Sequence, residues 1–353
     1  MIPPINQALE KIKLFHLDGL LVTKDVNVSY LTDFDSSESW LLLHPQKTFY
    51  ITDFRYIEEA KEGLRGIYLK KIKGSIFKDV FSLCSDLAIK RLGVESRNLS
   101  LAEYQKLKSI FKDRIEIIET HDFIESLRQI KTEEEILKIR QAIKITAQAF
   151  SFLKHIIKPG LSEYEAMIAL EGFIRKKDAR LCFDAIIASG SRGAYPHAKV
   201  TKLKFQLNEP VTVDIGVDFK GYKSDLTRVF FLGKIPAKVQ QIYKIVLLAQ
   251  ERAIKSIKPG KSACEIDACA RNYLSKYKLG RFFGHSLGHG VGREVHESPA
   301  ISSKNDSKLE KNMVFTVEPA VYLPGEFGIR IEDMVLVKEK ACEVLSGFIH
   351  KSA

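Results

Sequence analysis

The sequence predicts an α+β protein of two domains. A smaller N-terminal α/β domain spans residues 1–122. A larger C-terminal domain spans 123–353 and is built of two duplicated halves about a pseudo-two-fold axis. Three observations lead there. At 353 residues the chain is too long for one ordinary core. Its first third alternates short apolar strand-like runs with helical ones. The remainder repeats itself: Ile157-Lys158-Pro159-Gly160-Leu161-Ser162 returns as Ile257-Lys258-Pro259-Gly260-Lys261-Ser262, and each serine is followed three residues on by Glu165 or Glu265. Each copy then leads through a helix-like run and an apolar stretch to a strand hairpin.

In order along the chain, Leu9 to Phe15 reads as a short helix, and Asp18-Gly19-Leu20-Leu21-Val22-Thr23 as a turn and a strand. Two more strands, Ser39–Leu43 and Thr48–Ile51, flank the turn residues His44 to Lys47. Helices are expected over Tyr56–Leu64 and Ile76–Lys90, with strands at Arg91–Glu95 and Glu116–Ile118. From Phe123 to Ile156 apolar residues recur at helical spacing, interrupted at Lys131–Glu135, where Thr132 and Glu135 have the form of a capping box. Ser162 with Glu165 and Ser262 with Glu265 predict two further helix starts of the same kind.

Composition narrows the class. With 45% hydrophobic and 28% charged residues the chain reads as globular, and it holds no apolar run of about 18 residues that would span a bilayer. The N-terminus lacks the apolar core of a signal peptide, and the five cysteines are scattered with no CxxC pair. A cytoplasmic protein is expected, with no membrane partner. The net charge of +11 comes from lysines spread along the whole chain rather than from a basic block, so no nucleic-acid partner is expected.

The chemistry lies in the repeated hairpins. The first carries Asp214 and Asp225, the latter within a return strand from Tyr222 to Phe231; the second carries Glu318 and Glu332. Taken singly, each has a structural reading: Asp225 paired with Arg228, Asp214 capping a turn, Arg330 paired with Glu332. Taken together, four carboxylates on apolar strands repel one another and lose hydration unless a strong positive charge lies between them. Two divalent cations balance the four negative charges, and a neutral histidine completes a shell without disturbing that balance. Between the hairpins, Gly284-His285-Ser286-Leu287-Gly288-His289-Gly290-Val291-Gly292-Arg293-Glu294-Val295-His296-Glu297-Ser298-Pro299 holds three of the nine histidines in a glycine-rich loop. Such oxygen-rich sets suit Mn²⁺, Co²⁺, Fe²⁺ or Zn²⁺ in a two-metal site, where a shared water loses its proton near neutrality.

The segments VDIG…GYKSDLTR, HSLGHGVGREVHESP, TVEP and GIRIED together resemble the pita-bread metallopeptidases, in particular the Xaa-Pro branch of aminopeptidase P and Xaa-Pro dipeptidase (prolidase). Residues 1–122 resemble the creatinase-like N-terminal domain of that branch, including Asn27-Val28-Ser29-Tyr30-Leu31-Thr32-Asp33-Phe34. The resemblance implies a C-terminal pita-bread domain holding two divalent ions, Mn²⁺ foremost, on Asp214, Asp225, His289, Glu318 and Glu332, with Asp225 and Glu332 bridging. It implies that Glu318 takes the proton of the attacking water. His285 and His296 would touch the substrate carbonyl and the tetrahedral intermediate. His197 and Arg330 would bind substrate. Where many relatives carry an arginine after the His-Glu-x-Pro motif this chain has Ala300, and Arg293, earlier in the loop, is the expected replacement.

The implied reaction is hydrolysis of the bond between an N-terminal residue and proline, on a peptide with proline at its second position, by a homodimer. Methionine aminopeptidase shares the five ligands but lacks the N-terminal domain and GIRIED. A metal-free pita-bread binding protein, or a metal-free creatinase-like hydrolase, would have lost ligands that are all present here.

Overall fold

The computed structural model describes residues 4–35 and 37–351. By internal packing the chain divides into two compact units, Met1–Arg128 and Gln129–Ala353. The division falls later than the expected break after residue 122, because Phe123 and Ile124 pack into the N-terminal core and the Arg128 guanidinium donates to Asn27 Oδ1 at 2.7 Å.

The first unit runs α1 (Pro4–Leu14), β1 (Gly19–Val22), α2 (Asp25–Thr32), β2 (Trp40–Leu43), β3 (Phe49–Thr52), α3 (Ile57–Gly63), β4 (Tyr68–Lys71), α4 (Ile76–Asp86), β5 (Arg91–Glu95), α5 (Leu101–Phe111), β6 (Glu116–Thr120) and α6 (Glu125–Gln129). Its strands form one mixed sheet in the order β4-β3-β2-β1-β5-β6. Strand β1 is apolar throughout because both of its faces are covered: Leu20 and Val22 join α1, α2 and α3 on one side, and Leu21 joins α4 and α5 on the other. Helices α2 and α5 and strand β4 go beyond the sequence expectation. A cue for α5 was present, since Ser100 and Glu103 form a complete capping box.

The second unit opens with α7 (Glu133–Ile156), whose N-cap Thr132 and Glu135 bond reciprocally as expected. Then follow α8 (Glu163–Arg175), β7 (Arg180–Leu181), β8 (Ile186–Ser189), β9 (Pro210–Ile215), β10 (Val217–Phe219), β11 (Tyr222–Lys223) and β12 (Leu226–Phe231). The second half repeats the plan with α9 (Ala237–Ser256), α10 (Ala263–Lys276), β13 (Gly288–Gly290), β14 (Glu297–Ile301), β15 (Val314–Val317), β16 (Ala320–Leu323), β17 (Phe327–Arg330), β18 (Asp333–Val337) and β19 (Cys342–Val344).

Duplication extends to individual backbone bonds. Capping boxes open α8 and α10 at Ser162 and Ser262. Around them Gly160 N donates to Phe205 O as Gly260 N does to Leu309 O, Glu163 N to Leu203 O as Ala263 N to Ser307 O, and Tyr164 N to Thr201 O as Cys264 N to Asn305 O. Strands β8, β9 and β12 form one sheet, and β14, β13, β15, β18 and β19 another. Val291, Val314, Met334 and Leu336 of the second half pack into the core of the first, which joins the halves. No described helix is long and apolar enough to cross a membrane.

Two expected continuous strands are broken, and the breaks matter. The return strand of the first hairpin is β11 followed by β12, with Ser224 and Asp225 between them. In the second hairpin β17 and β18 are separated by Ile331 and Glu332. At each break the chain leaves one sheet for another: β11 pairs with β10 but β12 with β9, and β17 pairs with β16 but β18 with β15.

Candidate metal centre and active site

All four hairpin carboxylates lie at these sheet changes. Asp214 is the penultimate residue of β9, just before the chain passes to β10, and Glu318 follows β15 before β16. Asp225 and Glu332 occupy the two strand breaks. Regular pairing holds neighbouring side chains on opposite faces; Asp214 still lies within it, paired with Thr227 and Ile186, while the other three carboxylates turn toward it where pairing stops. Backbone bonds fix the departures: Ser224 N donates to Val217 O at 2.9 Å, Glu318 N to Leu287 O at 2.8 Å and Glu332 N to Thr227 O at 3.3 Å.

The result is one cluster. Ligand atoms lie within 4.8 Å of one another in each of three sets: Asp214, Asp225 and Glu332; His289, Glu318 and Glu332; and Asp225, His289 and His296. Asp225, Glu332 and His289 each belong to two sets. His289 Nε2 is 3.2 Å from Glu318 Oε1 and 3.6 Å from Asp225 Oδ2. Its Nδ1–H is donated to the Gly290 carbonyl at 3.2 Å, which turns Nε2 toward the cluster as the atom that would ligate a cation.

Close approach to His289 requires glycine beside it. A Cβ on Gly288 would fall 1.9 Å from the Thr316 carbonyl oxygen in the neighbouring strand β15. A backbone atom cannot move aside as a flexible side chain can. Gly288→Ala is therefore expected to destabilise the protein by about 1–3 kcal/mol through overpacking. Chemical unfolding checks this, and an unchanged midpoint would contradict the close contact.

Electrostatics single out the same residues. Burial, followed by repulsion from Glu332, Asp214 and Glu318, pushes the Asp225 carboxyl well above the usual range. Burial, followed by Glu318 and Asp214, does the same to Glu332. Asp214 is also raised, by burial first, although Arg330 opposes it. Burial would raise Glu318 too, but the hydrogen bond and charge of His289 outweigh it and the carboxyl falls below its ordinary value. Among the described residues Arg330, on Asp214, is the one arginine or lysine paired with any of the four carboxylates. Asp214 Oδ1 is buried without a hydrogen-bond partner. A surplus of buried negative charge, an orphaned carboxylate oxygen and an imidazole nitrogen turned inward are the features expected of a site that holds divalent cations.

The structural readings of the single residues give way here. Arg228 pairs with Asp333 at 2.8 Å, not with Asp225. Arg330 pairs across the halves with Asp214 at 2.5 Å, not with Glu332. Arg330 Nε also donates to Thr227 Oγ1 at 3.0 Å, and Nη1 to Tyr322 OH at 2.6 Å and Pro196 O at 3.2 Å. Thr227 in turn donates to Glu332 Oε2 at 2.8 Å. Thr227 and Tyr322 went unnoticed in the sequence; their only cue was a hydroxyl on a strand of mostly apolar residues.

Asp214, Asp225, His289, Glu318 and Glu332 line a cavity of about 1300 Å³ together with His197, His285, His296 and Arg330. His296 stands with its ring centroid 4.2 Å from that of His289, and burial, then the charge of His289, holds its pKa below the ordinary value. His285 is likewise lowered by burial. Its Nδ1 lies 2.8 Å from the Ser286 carbonyl and its Nε2 3.1 Å from the Tyr322 hydroxyl, so both ring nitrogens have partners within the protein. Ala300 lines the cavity, whereas Arg293 is not among the lining residues; its guanidinium lies 4.8 Å from the centre of the Tyr222 ring.

The chain is similar to known proteins along nearly its whole length. Residues 137–339 match the model of "Metallopeptidase family M24" and residues 4–130 that of the "Creatinase/Prolidase N-terminal domain". An Xaa-Pro dipeptidase of Pyrococcus furiosus is 35% identical over 350 residues, covering 97% of this chain and 98% of that protein. Among solved structures, an Xaa-Pro dipeptidase from Bacillus anthracis superposes with a TM-score of 0.93 at 36% identity, over 98% of this chain and 97% of its own. An X-Pro aminopeptidase from Thermotoga maritima does so with a TM-score of 0.90 at 37% identity, over 97% and 99%. With its sheet-change carboxylates, its inward-facing histidine and matches along nearly its whole length, the chain belongs to metallopeptidase family M24 and carries the creatinase/prolidase N-terminal domain of that family's Xaa-Pro branch.

Proposed function

We propose that this protein is a dinuclear metal-dependent peptidase that cleaves the bond between an N-terminal residue and proline. The observation that carries the reading is the convergence of Asp214, Asp225, His289, Glu318 and Glu332 into overlapping ligand sets in one cavity. Asp214, Asp225, His289, Glu318 and Glu332 would hold the two ions, with Asp225 and Glu332 the carboxylates shared between ligand sets. Mn²⁺ is the proposed native ion, with Co²⁺, Fe²⁺ and Zn²⁺ as ions the same oxygen-rich set accepts. When bound, the pair supplies an acidified water and Lewis-acid polarisation of the scissile carbonyl.

The remaining work belongs to side chains. Glu318, held ionised by His289, accepts the proton of the attacking water and passes it to the leaving proline nitrogen. His296, which lines the cavity beside His289, donates an N–H to the oxygen on which negative charge develops. His285 holds Tyr322, and Tyr322 holds Arg330. His197 lines the substrate space.

Arg330 bears on substrate length. Its Nε, Nη1 and Nη2 all donate within the protein, which suits a residue that orients Asp214 rather than one that clamps a free substrate carboxylate. Ala300 offers no charge, and Arg293 is stacked on Tyr222. The cavity exceeds the roughly 300–1000 Å³ typical of small-ligand sites. These features favour peptides that continue beyond proline. With Mn²⁺ added, Ala-Pro-Ala is expected to be cleaved before proline with a kcat/KM at least equal to that of Ala-Pro, and Met-Ala to be inert. Turnover of Met-Ala above both proline peptides would favour methionine aminopeptidase instead, and no turnover of either proline peptide would end the proposal.

A further inference from the structure

His296 lies on a loop whose neighbours are fixed from several directions. Val291 N donates to Val314 O at 3.1 Å, Lys223 N to Gly292 O at 2.9 Å and Gly292 N to Glu294 O at 3.1 Å. Inside this loop sits the carboxylate of Glu297, the residue after His296. Its Oε2 accepts from Glu294 N at 3.3 Å, and its Oε1 accepts from Lys131 Nζ at 2.7 Å. The two side chains of this ion pair are only 1% and 4% exposed. Lys131 comes from a distant part of the sequence, the residue before the N-cap of α7. Its backbone is itself anchored, with Lys131 N donating to Asn312 O at 3.0 Å and Ile130 bridged to Met313 just ahead of β15. The pair fills the space over Gly292, where a Cβ would meet Glu297 Oε1 at 2.4 Å and Lys131 Cε at 3.0 Å.

A lysine and a glutamate buried this completely gain little net stability, because the lost hydration of both charges offsets their attraction. What such a pair does supply is a single allowed geometry. We propose that Lys131 and Glu297 form a positioning device for His296. The pair fixes the loop so that the imidazole stands over His289, facing the cavity, without touching substrate itself. This rests on the role given to His296 above. An apolar pair of similar size would fill the same space but would let the loop, and the imidazole with it, take more than one arrangement.

The test uses Lys131→Met, Lys131→Met/Glu297→Leu and Lys131→Arg in the full chain loaded with Mn²⁺, with Ala-Pro-Ala as substrate. The double variant removes both charges of the pair together, so it avoids the lone buried carboxylate that Lys131→Met alone would leave. At least a tenfold loss of kcat with KM within twofold is expected in the double variant, and kcat within about threefold of wild type in Lys131→Arg. In a His296→Ala background, Lys131→Met/Glu297→Leu should cost less than twofold further, because the residue it positions is gone. A wild-type kcat in the folded double variant, or an equal loss in the His296→Ala background, overturns the proposal. A second readout is independent of turnover. The imidazole ¹³Cε1–H resonance of His296, identified by its loss in His296→Ala, should shift or broaden in the double variant of the metal-free protein; an unchanged resonance overturns the proposal. If wild type cleaves no Xaa-Pro peptide, it is the functional reading that has failed, and the resonance still decides the positioning.

Discussion

His289→Ala and Glu318→Ala are each expected to lower kcat/KM on Xaa-Pro peptides by about 10³-fold or more, to the limit of detection. Loss of a positioned acid–base group alone costs on the order of 10²–10⁴. Glu318 combines that role with a place in the ligand set beside Glu332 and His289. His289 is the neutral donor among anions, and its Nε2 is the atom nearest Glu318. Removing His289 also withdraws the contact that, against burial, holds the Glu318 carboxyl below its ordinary value. Glu318→Gln separates the two contributions, because it keeps the shape and one ligand oxygen while abolishing proton acceptance. Dialysis against a chelator should reproduce the loss in wild type, with recovery on adding Mn²⁺ or Co²⁺. Metal content and the thermal midpoint, measured on the same samples, distinguish a dead but folded enzyme from an unfolded one. Retained turnover in both alanine variants would defeat the assignment of the centre.

What the sequence revealed and what it hid divide along a physical line. Local devices were legible. The capping boxes at Thr132, Ser162 and Ser262 lie within a single helical turn, so a few residues of sequence sufficed to find them, although the equally local box at Ser100 and Glu103 was passed over. The ligand residues were legible as a set because four carboxylates and a histidine in apolar, glycine-rich surroundings have few stable explanations. Their partners were not. Arg330 finds Asp214 from 116 residues away, and Thr227 finds Glu332 across 105, because the two halves face each other; the choice is made by tertiary packing, not by spacing. Neighbouring charges offered tempting false pairs, Arg228 with Asp225 and Arg330 with Glu332, that strand alternation could not rule out. The strand breaks at Asp225 and Glu332 were equally hidden. The residues around them keep an unbroken β-forming pattern, and only the exchange of pairing partners, β10 for β9 and β16 for β15, interrupts the strands.

The largest effect on stability is expected outside the ligand set, at Arg228. Its side chain is 1% exposed. Its guanidinium donates to Asp333 Oδ1 at 2.8 Å, to the carbonyls of Thr227 at 3.0 Å, Ile349 at 3.3 Å and His350 at 3.1 Å, and to the Glu332 carbonyl. One residue thus ties the break at Glu332, the strand β12 and the C-terminal turn into a single network. Arg228→Met is expected to destabilise the protein by about 3 kcal/mol, because the buried Asp333 loses its arginine and keeps only Lys351 Nζ, at 2.9 Å, as a charged partner, while four carbonyls lose their donor. The exposed pair of Lys61 and Glu58, with side chains 56% and 76% accessible, is the contrast: Lys61→Met should change stability by less than about 1 kcal/mol. Urea unfolding must be run at one fixed Mn²⁺ concentration, since an ion that binds only the folded state adds its own mass-action stabilisation. Arg228→Met/Asp333→Asn should recover part of the loss, because it removes the buried carboxylate, while Lys351, 25% exposed and also bonded to Gln250 Oε1, can turn to solvent. Activity should fall along with stability in the single variant, since the Glu332 carbonyl loses its donor and with it the fixed departure that turns this carboxylate into the cluster. A single variant less than about 1 kcal/mol below wild type would mean that the Glu332 break holds its geometry without the buried arginine, and the strand pairing on either side would then have to fix it alone.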